Sequence, residues 1–166
     1  MGELMVPFKD SYLGQLRQQV GSRLILIPGG RALLENEKGG LLLHRRHDNG
    51  QWAIPGGACD FNESIEDAVL REIQEETGLK MIEYEAIGFA SNPQFETNVY
   101  PNGDKIHGYG LVLYSRKWQG KLVSEDNESL EFGWFRREEL PSMHERDYRT
   151  VEALSKYLKT GKFQLF

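Results

Sequence analysis

The chain has 166 residues, about the length of one ordinary domain, and its 39% hydrophobic residues with 11% aromatics supply enough apolar surface for a core. Its net charge of −5 argues against a duplex nucleic-acid partner, because that binding depends on neutralising many phosphates with Lys and Arg. The same charge leaves room for a small anionic ligand, since a bound divalent cation reverses the field around a carboxylate cluster.

No stretch approaches the roughly eighteen consecutive apolar residues of a membrane helix, and the start, MGELMVPFKDSYLGQL, lacks the basic-then-apolar layout of a signal peptide. The expectation is a single domain over residues 1–166 with no membrane partner. Cys59 is the one cysteine; it can form no intramolecular disulfide and suits a reducing, cytoplasmic location.

In chain order, residues 11–20 carry Tyr12, Leu13, Leu16 and Val20 at helical spacing with Gly21 as terminator, which predicts a short leading helix. The apolar runs 23–28 (RLILIP) and 40–44 (GLLLH) predict strands, separated by a stretch rich in Gly and Asn. Residues 51–57 (QWAIPGG) read as a strand stopped by Pro-Gly-Gly. A helix over 63–77 follows, with Asn62 as N-cap, Glu63, Glu66 and Asp67 at the positive end of its dipole, and Gly78 as left-handed C-cap. Strands are expected over 82–91, 105–115 and 132–135, and a closing helix over 146–158. Strands interleaved with helices predict an α/β layered domain.

On the central helix, at about 100° per residue, Glu72 and Glu76 lie about 40° apart and Glu75 about 60° to the other side. Three carboxylates therefore share one face, beside Ile65, Val69, Leu70 and Ile73, which anchor the helix to the core. Like charges at this spacing repel, and a cation offsets the repulsion. Oxygen donors without His or Cys favour Mg²⁺ or Mn²⁺ over zinc. Taken alone, REIQEE reads first as a solvated charged face with Arg71 and Glu75 as an ordinary i,i+4 pair.

The longer string GGACDFNESIEDAVLREIQEETGL decides more. From Gly57 it runs Gly, five residues, Glu63, seven residues, Arg71-Glu72, Ile73, one residue, Glu75-Glu76, one residue, Gly78 and Leu79. Over residues 57–79 this resembles the Nudix box at every specified position, and the chain resembles the Nudix hydrolases, MutT-like in size. The resemblance extends over roughly 24–140, with LLLHRR before the box and an acidic loop leading to Glu131-Phe-Gly-Trp-Phe after it; residues 1–22 form an N-terminal helical extension outside the family's minimal pattern.

The resemblance implies the Nudix fold, an α/β/α sandwich with a mixed sheet and a loop–helix–loop box, and metal-dependent cleavage of the diphosphate in a nucleoside diphosphate linked to another group. It implies Glu72, Glu75 and Glu76 as metal ligands and catalytic residues, with the Gly56 carbonyl as a further oxygen ligand. Glu128, six residues before Trp134, is a candidate for an additional ligand. The general base falls to Glu75 or Glu76, or to a carboxylate in the later loop. Arg71 is expected to orient a carboxylate, Glu63 to brace the loop–helix turn, and Gly57 and Gly78 to permit tight backbone.

Arg45 and Arg46 follow a strand and are candidates for the substrate's phosphates, with strand alternation turning only one into the cleft. Trp52, Phe95 and Tyr109 are candidates to stack on a base but read first as core, His44 and His107 as structural, and Cys59 as a bystander without an activating partner.

On substrate, Pro93 lies fourteen residues beyond Leu79, near a position where some ADP-ribose pyrophosphatases carry proline, and Glu96 stands where a diadenosine-polyphosphate subtype carries tyrosine. The lean is to ADP-ribose or a nucleotide sugar, with nucleoside triphosphates next. The alternatives are a non-catalytic nucleotide-sensing module, which retention of the box carboxylates disfavours, and an isoprenoid-diphosphate isomerase, whose active-site Cys lies outside the box. Homodimers are common in the family, and the N-terminal helix is a candidate contributor to one.

Overall fold

A computed structural model describes residues 8–100, 102–123 and 129–166. A single 3-10 turn, Phe8–Asp10, leads into α1 (Tyr12–Val20), which Ser11 caps through its side chain to the Gly14 N–H. Two sheets follow. The larger is mixed and runs in the order β4 (Gly56–Ala58), β1 (Leu24–Leu34), β7 (Lys105–Gly120), β5 (Leu79–Ala90), β9 (Gln164–Leu165), with β6 (Thr97–Val99) also on β7. β1 and β7 run parallel, as do β5 and β9, and the other pairs are antiparallel. The smaller sheet is antiparallel: β3 (Trp52–Ala53), β2 (Leu41–Arg46), β8 (Ser129–Phe135).

Strand alternation divides the core between two helices. Leu33, Leu41, Leu43, Val112 and Tyr114 pack with Val151 and Leu154 of α4 (Glu145–Thr160). Their neighbours Ala32, Leu34, Leu42 and Leu113 pack with Val69 and Ile73 of α2 (Ile65–Thr77). The strands are therefore covered on both faces, which is why β1 and β2 read as near-continuous apolar runs. The result is the expected α/β/α layering. No helix among the described residues is long and apolar enough to cross a membrane.

Three expectations need correction. β1 does not stop at Pro28 but runs to Leu34, because Gly29 and Gly30 admit backbone on either side: a Cβ at either position would lie 2.2 Å from the carbonyl of Gly57 or of Leu111. The Pro-Gly-Gly element does not close one strand. It carries the chain from β3 in the small sheet to β4 in the large one, with Pro55 between them offering its carbonyl to the Ala32 N–H. The N-cap of α2 is Ser64, whose side chain accepts from the Asp67 N–H, while Asn62 sits earlier in the loop at φ 61°. Ser64 wins because its extended φ/ψ turns the hydroxyl onto the first turn. The short elements α3 (Pro93–Glu96), β6 and β9 had no sequence signal.

Candidate functional site

A cleft of about 530 Å³ opens where β4 and α2 meet the edge of the large sheet. One wall is the loop and helix of residues 56–76. Gly78, at φ 72°, ends α2 and donates its N–H to the Gln74 carbonyl, so the helix stops at Thr77, one residue after Glu76.

Arg71 organises this wall. Its Nε and Nη2 donate to the two oxygens of Glu63, at 3.1 and 2.7 Å, and Nη2 also reaches the Ala58 carbonyl at 3.1 Å. Nη1 donates to Glu72 Oε1 at 2.9 Å and Glu75 Oε2 at 3.0 Å. One guanidinium thus ties the loop to two helix carboxylates. Hydrogen bonding to Glu63 is the largest cause raising the Arg71 pKa, and Arg71 in turn holds the Glu63 carboxyl below its usual range. Glu63 also accepts from the Asp60 N–H. The Asp60 carboxylate accepts from the Tyr12 N–H at 2.9 Å, which fastens α1 to the loop. Edge-on packing of Tyr12 and Phe61, with centroids 5.3 Å apart, supports the same junction.

Glu76 is 2% exposed and accepts the Gly56 N–H at 2.8 Å. Glu72 presses on Gly57 so closely that a Cβ there would lie 2.3 Å from its carboxyl carbon. Glu72, Glu75 and Glu76 all line the cleft, together with Gly56 and Gly57. In this conformation no three His, Cys, Asp or Glu side chains among the described residues share a common centre; Arg71 gathers Glu72 and Glu75 instead. The donor set is oxygen-only, lies on one helix face beside bare loop backbone, and fits a hard cation in its chemistry. Glu128 lies outside the described residues.

Of the two arginines that end β2, Arg46 lines the cleft and Arg45 does not. Arg45 turns away to the Gly50 carbonyl, 3.0 Å, and to Glu131, 3.6 Å. Arg46 is held by both oxygens of Asp48, at 2.9 and 2.8 Å, and those hydrogen bonds are the largest cause raising its pKa. Cys59 lines the cleft, but burial first and Glu63 next push its thiol up, away from thiolate character. Trp52 packs on Phe135 and Phe95 lies under Arg149, whereas Tyr109 faces the cleft and stacks on His107. His44 is buried with Nδ1 at 2.7 Å from Ser129 Oγ.

A second part of the lining was not foreseen. Arg31 of β1, Glu96 of α3 and Arg146 of α4 form it, with Tyr100, Gly108 and Gly110. Arg31 and Glu96 form a buried ion pair; Arg31 also donates to Thr150 Oγ1 at 3.2 Å and lies 3.9 Å from Asp147. Burial, and then the charge of Arg146, lower the Arg31 pKa. A charged residue inside LILIPGGRALL was the available signal, since an arginine in a buried strand needs a partner. Phe8, Ser11 and Leu13 of the leading segment complete the cleft.

Residues 27–154 match the family model described as NUDIX domain. A MutT-like protein of Streptomyces ambofaciens is 32% identical over 120 residues, 71% of this chain and 70% of that protein. The nucleoside triphosphatase NudI of Escherichia coli (strain K12 / DH10B) is 30% identical over 113 residues, 65% of this chain and 80% of that protein. The crystal structure of a MutT NUDIX hydrolase from Burkholderia pseudomallei superposes with a TM-score of 0.65 at 26% identity, covering 78% of this chain and 98% of that one.

Proposed function

This chain belongs to the Nudix hydrolase family, and from that premise we propose that it cleaves a nucleotide's phosphoanhydride with Mg²⁺ or Mn²⁺ held by Glu72, Glu75 and Glu76. Membership makes it a pyrophosphohydrolase of nucleoside diphosphate derivatives or triphosphates. The metal, the residue roles and the substrate within that class are our reading. One observation carries it: three helix carboxylates and the Gly56–Gly57 backbone line the same cleft as Arg46.

The cation, when bound, neutralises the diphosphate and lowers the pKa of a coordinated water toward neutrality. The chain's own groups do the rest. Glu76 is fixed by the Gly56 N–H, and the Gly56 carbonyl is the further oxygen donor. Glu75 has a side chain 36% exposed, against 19% for Glu72; it is the carboxylate best placed to exchange a proton with water. Arg71 orients Glu72 and Glu75, and Glu63 fixes Arg71. Arg46, which lines the same cleft, meets a phosphate oxygen.

Nucleoside triphosphates are the first substrates to test, supported by the likeness to a nucleoside triphosphatase. ADP-ribose and nucleotide sugars come second; Pro93 opens the helix that delivers Glu96 to the cleft. The lone Cys59 supports a cytoplasmic location. Retention of all three box carboxylates sets the sensing-module alternative aside.

The test is phosphate or pyrophosphate release from nucleoside triphosphates, ADP-ribose, nucleotide sugars and dinucleoside polyphosphates with Mg²⁺, Mn²⁺ or EDTA. Hydrolysis of one class that EDTA abolishes is the expected result. Hydrolysis that survives EDTA, or silence across the panel from folded protein with metal supplied, refutes the reading.

A further inference from the structure

Part of the cleft floor is bare backbone without a packing reason. Gly108 and Gly110 of β7 flank Tyr109, line the cleft, and have no positive φ. A Cβ on Gly108 would meet nothing nearer than 3.8 Å, where it finds the Glu96 carbonyl and Glu96 Oε2. On Gly110 it would meet the Gly30 Cα at 3.4 Å and Arg31 Nη2 at 3.9 Å, ordinary contacts. Gly29 and Gly30 on the adjacent strand differ, because neighbouring backbone forbids any side chain there. Glycine weakens a strand interior, and where neither conformation nor packing demands it, close approach of a ligand is the remaining physical reason.

Glu96 borders that floor. It is 4% exposed and lines the cleft, at the point where α3 hands the chain to β6 and Thr97 pairs with His107. Arg31 takes its Oε2, and among the described residues no donor is bonded to Oε1. Arg31 is itself fixed by Thr150. Glu96 lines the cleft, and its second oxygen is left as an acceptor for a donor on a bound molecule.

Resting on the nucleotide-hydrolase reading above, we propose that Gly108 and Gly110 floor the nucleobase subsite and that Glu96 Oε1 accepts from an exocyclic amino group on the base. A flat ring lies against the glycine strip with its edge toward Glu96. The class selected carries an amino group where its counterpart carries a carbonyl: cytosine over uracil, adenine over hypoxanthine.

Nucleoside monophosphates test this without turnover or metal. Calorimetric titration in EDTA is expected to show CMP binding about ten- to a hundredfold more tightly than UMP, and AMP more tightly than IMP, the range for one hydrogen bond to a charged group. Glu96→Gln is the sharper probe. Arg31 holds the amide oxygen, which leaves the amide NH₂ facing the base, so the preference reverses toward UMP and IMP. A residue that only supported the fold would not invert a base preference.

Gly108→Ala, whose methyl has room, is expected to weaken all four nucleotides at least about fivefold with an unchanged melting temperature. Inorganic pyrophosphate with Mg²⁺ binds at the box, so wild type, Glu96→Gln and Gly108→Ala are expected to bind it alike. Loss of pyrophosphate binding with the base preference intact would count against the metal reading alone. Equal affinity for CMP and UMP in wild type, including no detectable binding of either up to millimolar concentration, overturns the subsite. So does a preference that Glu96→Gln leaves unchanged.

Discussion

The two walls of the cleft are built in opposite ways. The box wall is local: Glu63, Arg71, Glu72, Glu75 and Glu76 lie within fourteen residues on one loop and one helix, and the Arg71 guanidinium alone links Ala58, Glu63, Glu72 and Glu75. The second wall is assembled from Arg31, Glu96 and Arg146, on β1, α3 and α4, and only the packing of both helices on the sheet brings them together. Local walls fix chemistry through spacing, whereas distant ones are free to differ between relatives that share the spacing. Reaction type should therefore respond to the first wall and substrate choice to the second.

The largest effect expected on that division comes from Glu76→Gln. It removes a buried carboxylate from the proposed metal set, and turnover is expected to fall by about a thousandfold or more with the circular-dichroism spectrum preserved. Wild-type turnover on the true substrate would remove Glu76 from the set. Next is Arg71→Lys, which keeps the charge but not the fork that reaches Glu63, Ala58, Glu72 and Glu75 at once. Its cost is expected at about ten- to a hundredfold in kcat, or as an equal loss in Mg²⁺ affinity measured by titration. Arg46→Ala should act differently, raising KM by about tenfold with kcat nearly unchanged if it contributes uniform phosphate binding. A fall in kcat alone would move Arg46 from binding to transition-state stabilisation.

The smallest effect concerns pH. Arg71 depresses the folded-state pKa of Glu63 below the ordinary glutamate value of about 4.3, so the pair's stabilisation is fully present above that value and is lost as pH falls through the folded-state pKa. Glu63→Gln should therefore flatten the decline of melting temperature below about pH 4.3 while lowering stability near neutrality. Parallel melting curves for the two proteins across that window would show that the pair contributes nothing to acid stability.

The same division explains what could be read in the amino-acid order. α2, its glycine cap and the acidic face are set by neighbours within one or two turns, and the alternating core faces of β1 and β2 follow from apolar runs. Ser64 replacing Asn62 as the cap is a contest between two good cap residues two positions apart, decided by loop φ/ψ that no spacing rule encodes. Pro-Gly-Gly signals a break but not that the break leads into another sheet. Glu96 lies in SNPQFETN, a string that reads as a polar turn, and becomes a buried cleft residue only because Arg31, sixty-five positions earlier, requires a counter-charge.

The bond from the Tyr12 N–H to Asp60 makes the leading helix a remote gauge of the box. That amide is shielded from exchange with solvent deuterium only while the loop carrying Asp60 and Glu63 stays in place, and Arg71 ties that loop to Glu72 and Glu75. A ligand that draws the helix carboxylates away from Arg71 leaves that guanidinium held by the loop alone, through Glu63 and the Ala58 carbonyl. The exchange rate at Tyr12 is therefore expected to change when a ligand rearranges the box wall, read from a segment that precedes the family-matched residues.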